Sequence, residues 1–281
     1  MSHDLLQALA IFAAGLAAGT INTVVGSGTL ITFPTLLAFG YPPVLANVSN
    51  NVGLVPGSVS GVHGYRAELA GQRRRLLRLG SASLCGGLVG ALLLLVLPAG
   101  AFKAIVPALI GVALVMVVFQ PRLSKWVAAR QQTREMAPGG DAAVRASAVG
   151  AVGVLRPVRQ QAALQLGGPV LWVLVFLSGV YGGYFGAAQG VLLLGLMGVA
   201  FTDSVQRINA VKNVLAGLVN GVAAVVFICV THIDWGAAGL IAAGAILGGQ
   251  LGARIGKKLP PWALRAAIIC VGVAALVKLL A

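Results

Sequence analysis

Apolar stretches long enough to cross a bilayer alternate with short polar breaks along most of the chain. A helix needs about 20 apolar residues to traverse about 30 Å of hydrocarbon. The pattern predicts such helices over 5–25, 43–63, 79–97 and 102–119, and again over 169–186, 205–230, 236–253 and 262–280. Two further apolar runs, 29–39 and 190–201, are too short to span, and each follows a long run across a glycine-rich break. Between the two sets, residues 120–168 are rich in Ala, Gly, Gln and Arg, with weak apolar periodicity only around 142–155. That segment reads as a linker joining two membrane-embedded halves.

The halves repeat each other. Asn47 matches Asn209, Asn51 matches Asn213, Gly86-Gly87 matches Gly248-Gly249, and Leu97-Pro98 matches Leu259-Pro260, each pair 162 positions apart. A constant offset over so many matches points to duplication. Charge predicts the relative orientation of the copies. Arg66, Arg73, Arg74, Arg75 and Arg78 precede the 79–97 helix, whereas its counterpart is preceded by Thr231 to Trp235, which carry no basic cluster. In the second half the basic residues, Arg254, Lys257 and Lys258, come one loop later. Basic loops mark the cytoplasmic side, so the expected fold is an all-α polytopic membrane protein of two inverted repeats. Each repeat is a re-entrant-like helix hairpin followed by three spanning helices, with both termini outside. The expected units are 1–119, a basic cytoplasmic linker over 120–168, and 169–281. In such transporters the substrate site lies near the midplane, where the repeats meet.

Composition agrees with a membrane environment: 58% of the 281 residues are hydrophobic and only 9% charged. The formal net charge of +14 raises the possibility of a nucleic-acid partner, but the cations sit between spans with no aromatic-basic reading surface beside them. The expected partners are a small anionic substrate and membrane lipids, with no nucleic acid. The six acids, Asp4, Glu68, Glu135, Asp141, Asp203 and Asp234, fall in loops or at helix ends, which speaks against a buried carboxylate relay or a metal-cation carrier. Cys85, Cys229 and Cys270 stand singly within apolar runs and read as small core hydrophobes. No catalytic residue, metal ligand or cofactor site is expected, and no removable signal is apparent at the N-terminus.

The candidate chemistry lies at the glycine-rich breaks and on the helix that follows each. In the first break, Asn22, Gly26, Ser27, Gly28 and Thr29 lead into the short 29–39 run; in the second, Gly186, Gln189 and Gly190 lead into 190–201. A helix starting at such a tip presents unpaired N–H groups and the positive end of its dipole, which favour an anion. Glycine permits close backbone approach, and Ser27, Thr29 and Gln189 add uncharged donors. The plainer reading of the same glycines is tight helix packing. Asn47, Asn50 and Asn51 form a polar stripe in the first half, and Asn209, Lys212 and Asn213 form its counterpart. Such amides either join neighbouring helices or line a shared cavity. Lys212 lies several residues inside a span, so it meets an anion or snorkels to the interface beside Arg207. Tyr181 and Tyr184 read either as neighbours of the second tip or as interface anchors. His63 and His232, near span ends, read as interfacial hydrogen-bonding groups.

These motifs together resemble the TauE/SafE family of sulfite exporters and anion permeases. The resemblance is carried by Ala18-Gly19-Thr-Ile-Asn22-Thr-Val-Val-Gly26-Ser-Gly28-Thr-Leu, Ala46-Asn47-Val-Ser-Asn50-Asn51 and Gly64-Tyr-Arg66-Ala-Glu68-Leu, with Tyr181-Gly-Gly-Tyr-Phe-Gly186-Ala-Ala-Gln-Gly190 and Asn209-Ala-Val-Lys212-Asn213 in the second half. It implies export of sulfite, sulfonates or related organosulfur and oxyanions across a bacterial-type plasma (inner) membrane. The expected function is therefore a secondary transporter rather than an enzyme. Its rivals are a passive anion channel or facilitator and, with less support, a membrane-embedded assembly factor.

Overall fold

The computed structural model describes residues 2–135, 168–201, 203–255 and 261–280. Most of the expected linker and both Lys257 and Lys258 lie outside the described residues. In chain order the helices are α1 (Ser2–Val24), α2 (Thr29–Ala38), α3 (Pro43–Gly64), α4 (Arg73–Val96) and α5 (Ala99–Glu135). The second half supplies α6 (Pro169–Tyr184), α7 (Gln189–Ala200), α8 (Val205–Val230), α9 (Trp235–Ile255) and α10 (Pro261–Leu280). No strand occurs among the described residues. Among the described residues, five helices are long and apolar enough to cross a membrane: those covering Asp4–Val24, Arg73–Val96, Gly100–Arg122, Val205–Val230 and Trp235–Arg254. The helices α2, α6 and α7 are apolar but shorter.

Local chemistry explains where several helices begin. Pro43 occupies the first turn of α3, where its missing N–H costs nothing. The Ser204 side chain accepts from Arg207 N at the start of α8, and Asp234 Oδ1 accepts from Ala237 N at the start of α9. Helix α4 starts at Arg73, six residues earlier than the apolar run suggests. Arginine is a strong helix former, so the polar turn joins the helix although it adds nothing to the apolar pattern. The offset between halves persists in the helix starts: Pro43 and Val205, Arg73 and Trp235, and Ala99 and Pro261 are each 162 apart. The starts of α2 and α7, Thr29 and Gln189, are 160 apart, and α7 is two residues longer than α2.

Small residues set the packing. A Cβ on Gly248 would lie 2.1 Å from Leu16 O, and one on Gly19 2.4 Å from Ala245 O, so α1 and α9 touch backbone to backbone. The pair α4 and α6 does the same, with a Cβ on Gly90 falling 2.1 Å from Val180 O and one on Gly183 2.2 Å from Gly87 O. Hydrophobic burial supplies no drive between helices already in lipid, so close backbone approach maximises dispersion contacts instead. Each half thus docks one helix of its own against one of the other half. Between these pairs, α3 and α8 run antiparallel. Gln72, just beyond α3, donates to Arg207 O in the first turn of α8, while Ser49 near the start of α3 accepts from Asp234 N beyond the end of α8. Leu88, Leu92, Val96, Val115, Val225 and Leu247 face outward, where lipid replaces water. Cys85, Cys229 and Cys270 are also exposed on this outer surface, which corrects their reading as core residues. Their near neighbours Gly86 and Gly87, Phe227, and Ile268 take the buried faces of the same helices.

Candidate functional site

The two hairpin tips end in the same way. At the end of α1 the Ile21 carbonyl accepts from both Val25 N (2.7 Å) and Gly26 N (3.0 Å), and Gly26 takes a positive φ of 88°. At the end of α6 the Tyr181 carbonyl accepts from Phe185 N (3.0 Å) and Gly186 N (3.2 Å), and Gly186 takes φ 78°. A glycine in the left-handed region closes a helix cheaply because it has no Cβ to clash. Ala188, just before α7, also has a positive φ, 60°, a conformation that costs a non-glycine residue about 1–2 kcal/mol. Phe185 anchors the second tip by packing edge-on against Phe33 of α2 at 5.2 Å and against Phe102 of α5 at 6.4 Å.

The tips meet each other. Gly190 N donates to Gly26 O at 3.1 Å, and a Cβ on Gly26 would lie 2.4 Å from Gly190 Cα. Ser27 and Gln189 are chain neighbours of these touching glycines. Both are buried, and Ser27 Oγ and Gln189 Nε2 have no hydrogen-bond partner. Thr29, the first residue of α2, is buried beside the second tip, its Oγ1 3.9 Å from the place a Gly186 Cβ would take. Unpartnered buried polar atoms are uncommon in folded proteins. Here they flank the N-terminal ends of α2 and α7, where the helix dipoles are positive although Leu30 N, Ile31 N, Gly190 N and Val191 N already have backbone acceptors.

The polar stripes of α3 and α8 turn toward the ends of the broken helices. Asn47 Nδ2 donates to Tyr184 O at 3.0 Å, reaching from the first half to the end of α6. In the opposite direction Asn209 Nδ2 and Asn213 Nδ2 donate to Thr23 O at 3.1 and 3.3 Å. Lys212 Nζ reaches Asn22 O at 3.2 Å and Thr23 O at 3.4 Å. Its side chain is 0% exposed, so it does not snorkel to an interface. Carbonyls at a helix C-terminus carry the negative end of the dipole, which suits a cation. Asn51 Oδ1 and Asn209 Oδ1 remain buried without partners.

The structure therefore brings together Asn22, Gly26, Ser27, Thr29, Gly186, Gln189 and Gly190 with Asn47, Asn209, Lys212 and Asn213. Other candidates lie apart from this group. A Cβ on Gly28 would strike Ala18 O at 2.6 Å, so this glycine packs the hairpin against its own first helix. Asn50 accepts from Thr32 Oγ1 within the first half, and Asn51 reaches Asn220 Oδ1 on α8 at 3.5 Å. Tyr184 is buried against Phe102, and Tyr181 donates through its hydroxyl to Ala187 O, so both belong to the second tip and neither anchors an interface.

A polar clasp between the halves lies at the end of α3, and the sequence pattern alone does not suggest it. Arg75 Nη1 lies 2.6 Å from Asp203 Oδ2, Arg207 Nε lies 3.2 Å from Asp203 Oδ1, and Arg207 Nη2 donates to Ala70 O. The Arg75 guanidinium also sits 3.8 Å above the Phe201 ring. The available signal is the rarity of acids, together with the four-residue spacing from Asp203, just before α8, to Arg207 in its first turn.

The family profile described as "Sulfite exporter TauE/SafE" matches residues 11–279. The chain is 26% identical over 292 residues to "Probable membrane transporter protein YfcA" of Escherichia coli (strain K12), covering 100% of this chain and 91% of that protein. It is 26% identical over 252 residues to a "Probable membrane transporter protein" of Haemophilus influenzae, covering 90% and 85%. It is also 33% identical over 105 residues to "Probable membrane transporter protein ORF9" of Sinorhizobium sp, a match spanning 37% of this chain and 40% of that protein. No solved structure matches the chain.

Proposed function

This chain belongs to the sulfite exporter TauE/SafE family, and we propose that it is a secondary transporter for a small anion, of the sulfite, sulfonate or related oxyanion class, working outward across a bacterial plasma membrane. That it is a membrane transporter follows from the family and from its relatives. The finer reading rests on one observation: two broken-helix tips meet at Gly26 and Gly190, flanked by the buried, unpartnered Ser27 Oγ and Gln189 Nε2. An anion seated there would lose its water shell and gain a hydroxyl and an amide donor, with the positive dipole ends of α2 and α7 beside them. None of these groups carries a formal charge that must be desolvated when the site is empty.

The inverted-repeat architecture is part of this proposal. It is supported by the 162-residue offset of the helix starts, by the antiparallel α3 and α8, and by the exchange of docking partners between α1–α9 and α4–α6. A rocking motion of one repeat against the other would open the tip junction to either side in turn. The backbone contact between the tips favours a carrier over a continuously open pore.

The test is a proteoliposome panel of sulfite, sulfate, thiosulfate, sulfonates and carboxylates. The proposal expects saturable flux of at least one sulfur oxyanion, accelerated by the same anion on the far side. Flux that rises linearly with concentration would favour a channel, and flux of carboxylates alone would overturn the substrate class.

A further inference from the structure

At the end of α1, hydrogen bonding inside the chain leaves a pair of carbonyls to be satisfied from elsewhere. Because Ile21 O takes both Val25 N and Gly26 N, the Asn22 and Thr23 carbonyls have no acceptor role left in the turn. Freed carbonyls at the C-terminal end of a broken helix are the groups that bind coupling cations in secondary transporters. Here that place is filled by Lys212 Nζ, 3.2 and 3.4 Å from the two oxygens, on a side chain fully shielded from solvent. No carboxylate pairs with it among the described residues. Thr23 O also receives the Asn209 and Asn213 amides, at 3.1 and 3.3 Å.

The other half is built differently. The freed Tyr184 carbonyl at the end of α6 receives a neutral amide from Asn47. The residue in the register of Lys212, 162 positions earlier, is Asn50, which is engaged by Thr32 instead of reaching across. One broken-helix end thus carries a cation beside two amides, and the other an amide without a cation.

We infer that the Lys212 ammonium is a tethered cation standing in the place of a free coupling cation, so that anion movement by this protein requires neither sodium nor potassium. The inference rests on the transporter reading for its meaning, but its geometry is independent of which anion is carried. A carbonyl pair is an incomplete shell for a hard monovalent cation, and the lysine supplies the charge from within the fold. Removing the whole stem should leave a vacancy that a small cation can enter, whereas replacing it with an apolar stem of similar length should not.

The experiment compares purified wild type, Lys212→Ala, Lys212→Met and Lys212→Gln in two assays. The first is thermal stability in Li⁺, Na⁺ or K⁺ chloride against choline chloride at constant ionic strength. The second is sulfite counterflow in proteoliposomes with the same cations on both sides. The tethered-cation role predicts wild-type melting and counterflow that agree within about twofold across all cations. It predicts that Lys212→Ala alone is stabilised by Li⁺ or Na⁺ in a concentration-dependent manner. Lys212→Gln keeps a donor on the two carbonyls but removes the charge, and its counterflow should fall about tenfold or more, a difference of about 1.4 kcal/mol. Cation-dependent counterflow or stability in wild type overturns the inference, as does a Lys212→Gln protein with near-normal flux. If Lys212→Ala folds but responds to Li⁺ and Na⁺ no more than Lys212→Met does, the inference also fails. If it does not fold, the wild-type and Lys212→Gln arms decide. A wild type that moves no anion would count against the transporter reading alone, because the stability assay reads the cation site without transport.

Discussion

Replacing Gly190 by alanine probes the contact between the tips with the smallest perturbation available. The added Cβ would lie 2.5 Å from Gly26 Cα and 3.1 Å from Gly26 O, both backbone atoms that no rotamer change can move. Carbon atoms settle at about 3.5–4.0 Å, so the tips must separate by about 1 Å. The Gly190 N to Gly26 O bond, now 3.1 Å, would then exceed hydrogen-bonding range. Losing that bond costs about 1 kcal/mol and relieving the overlap about 1–3 kcal/mol. The closed junction should thus weaken by about 2–4 kcal/mol, roughly 30-fold to 1000-fold in its population. Gly221→Ala on α8 is the matched control, because nothing lies within 4 Å of its Cβ position. Melting of both purified variants, followed by counterflow at equal incorporation, provides the readout. Gly190→Ala should melt earlier and lose most of its flux, while Gly221→Ala should match wild type in both. Wild-type melting and flux in Gly190→Ala would refute the account of the tip contact.

Three further outcomes follow from the same packing and charge arguments. Reporter fusions after Arg75, near Gly140 and after Lys258 should all report cytoplasm, since those segments carry the basic clusters; an outside signal at Lys258 would refute the inverted arrangement. Gly90→Leu and Gly248→Leu should each prevent recovery of monodisperse protein, because a Cβ at either position meets a carbonyl oxygen at 2.1 Å; normal yield of either would show that the helix pair can separate at little cost. A double-mutant cycle of Arg75→Gln with Asp203→Asn, read by thermal or denaturant stability, should give a coupling of about 1 kcal/mol, since both side chains are partly exposed; a coupling near zero would remove the clasp as a stabilising contact.

Among the described residues, helix order and most helix ends were legible in the sequence, because a bilayer demands long apolar runs and backbone polar groups must be satisfied within each helix. The start of α4 and the end of α5 mark the limit of that signal: Arg73, Arg74 and Arg75 extend one helix beyond its apolar run, and α5 continues to Glu135, past the expected end at 119 and into the expected linker. The repeated pattern was visible as a constant spacing of asparagines and glycines. What the spacing could not reveal is where side chains point. Asn50 and Asn51 share the stripe with Asn47, yet only Asn47 reaches the end of the opposite hairpin. Lys212 was recognisable as costly, but its partners are main-chain carbonyls of Asn22 and Thr23, groups every residue possesses and no composition can flag. Gly26, Gly28 and Gly190 read alike as a glycine-rich break. In the fold, one pair joins the tips and Gly28 packs within its own hairpin.

The most direct test of the central claim is sulfite counterflow by Gln189→Glu and Gln189→Asn beside wild type at matched incorporation. Gln189 is 3% exposed at the start of α7, with its amide nitrogen unpartnered. If the tip junction receives an anion, a carboxylate there should repel it and reduce flux at least about tenfold, while Asn, which keeps the donor, should retain a measurable part. Sulfite flux in Gln189→Glu equal to wild type would contradict an anion site between the tips.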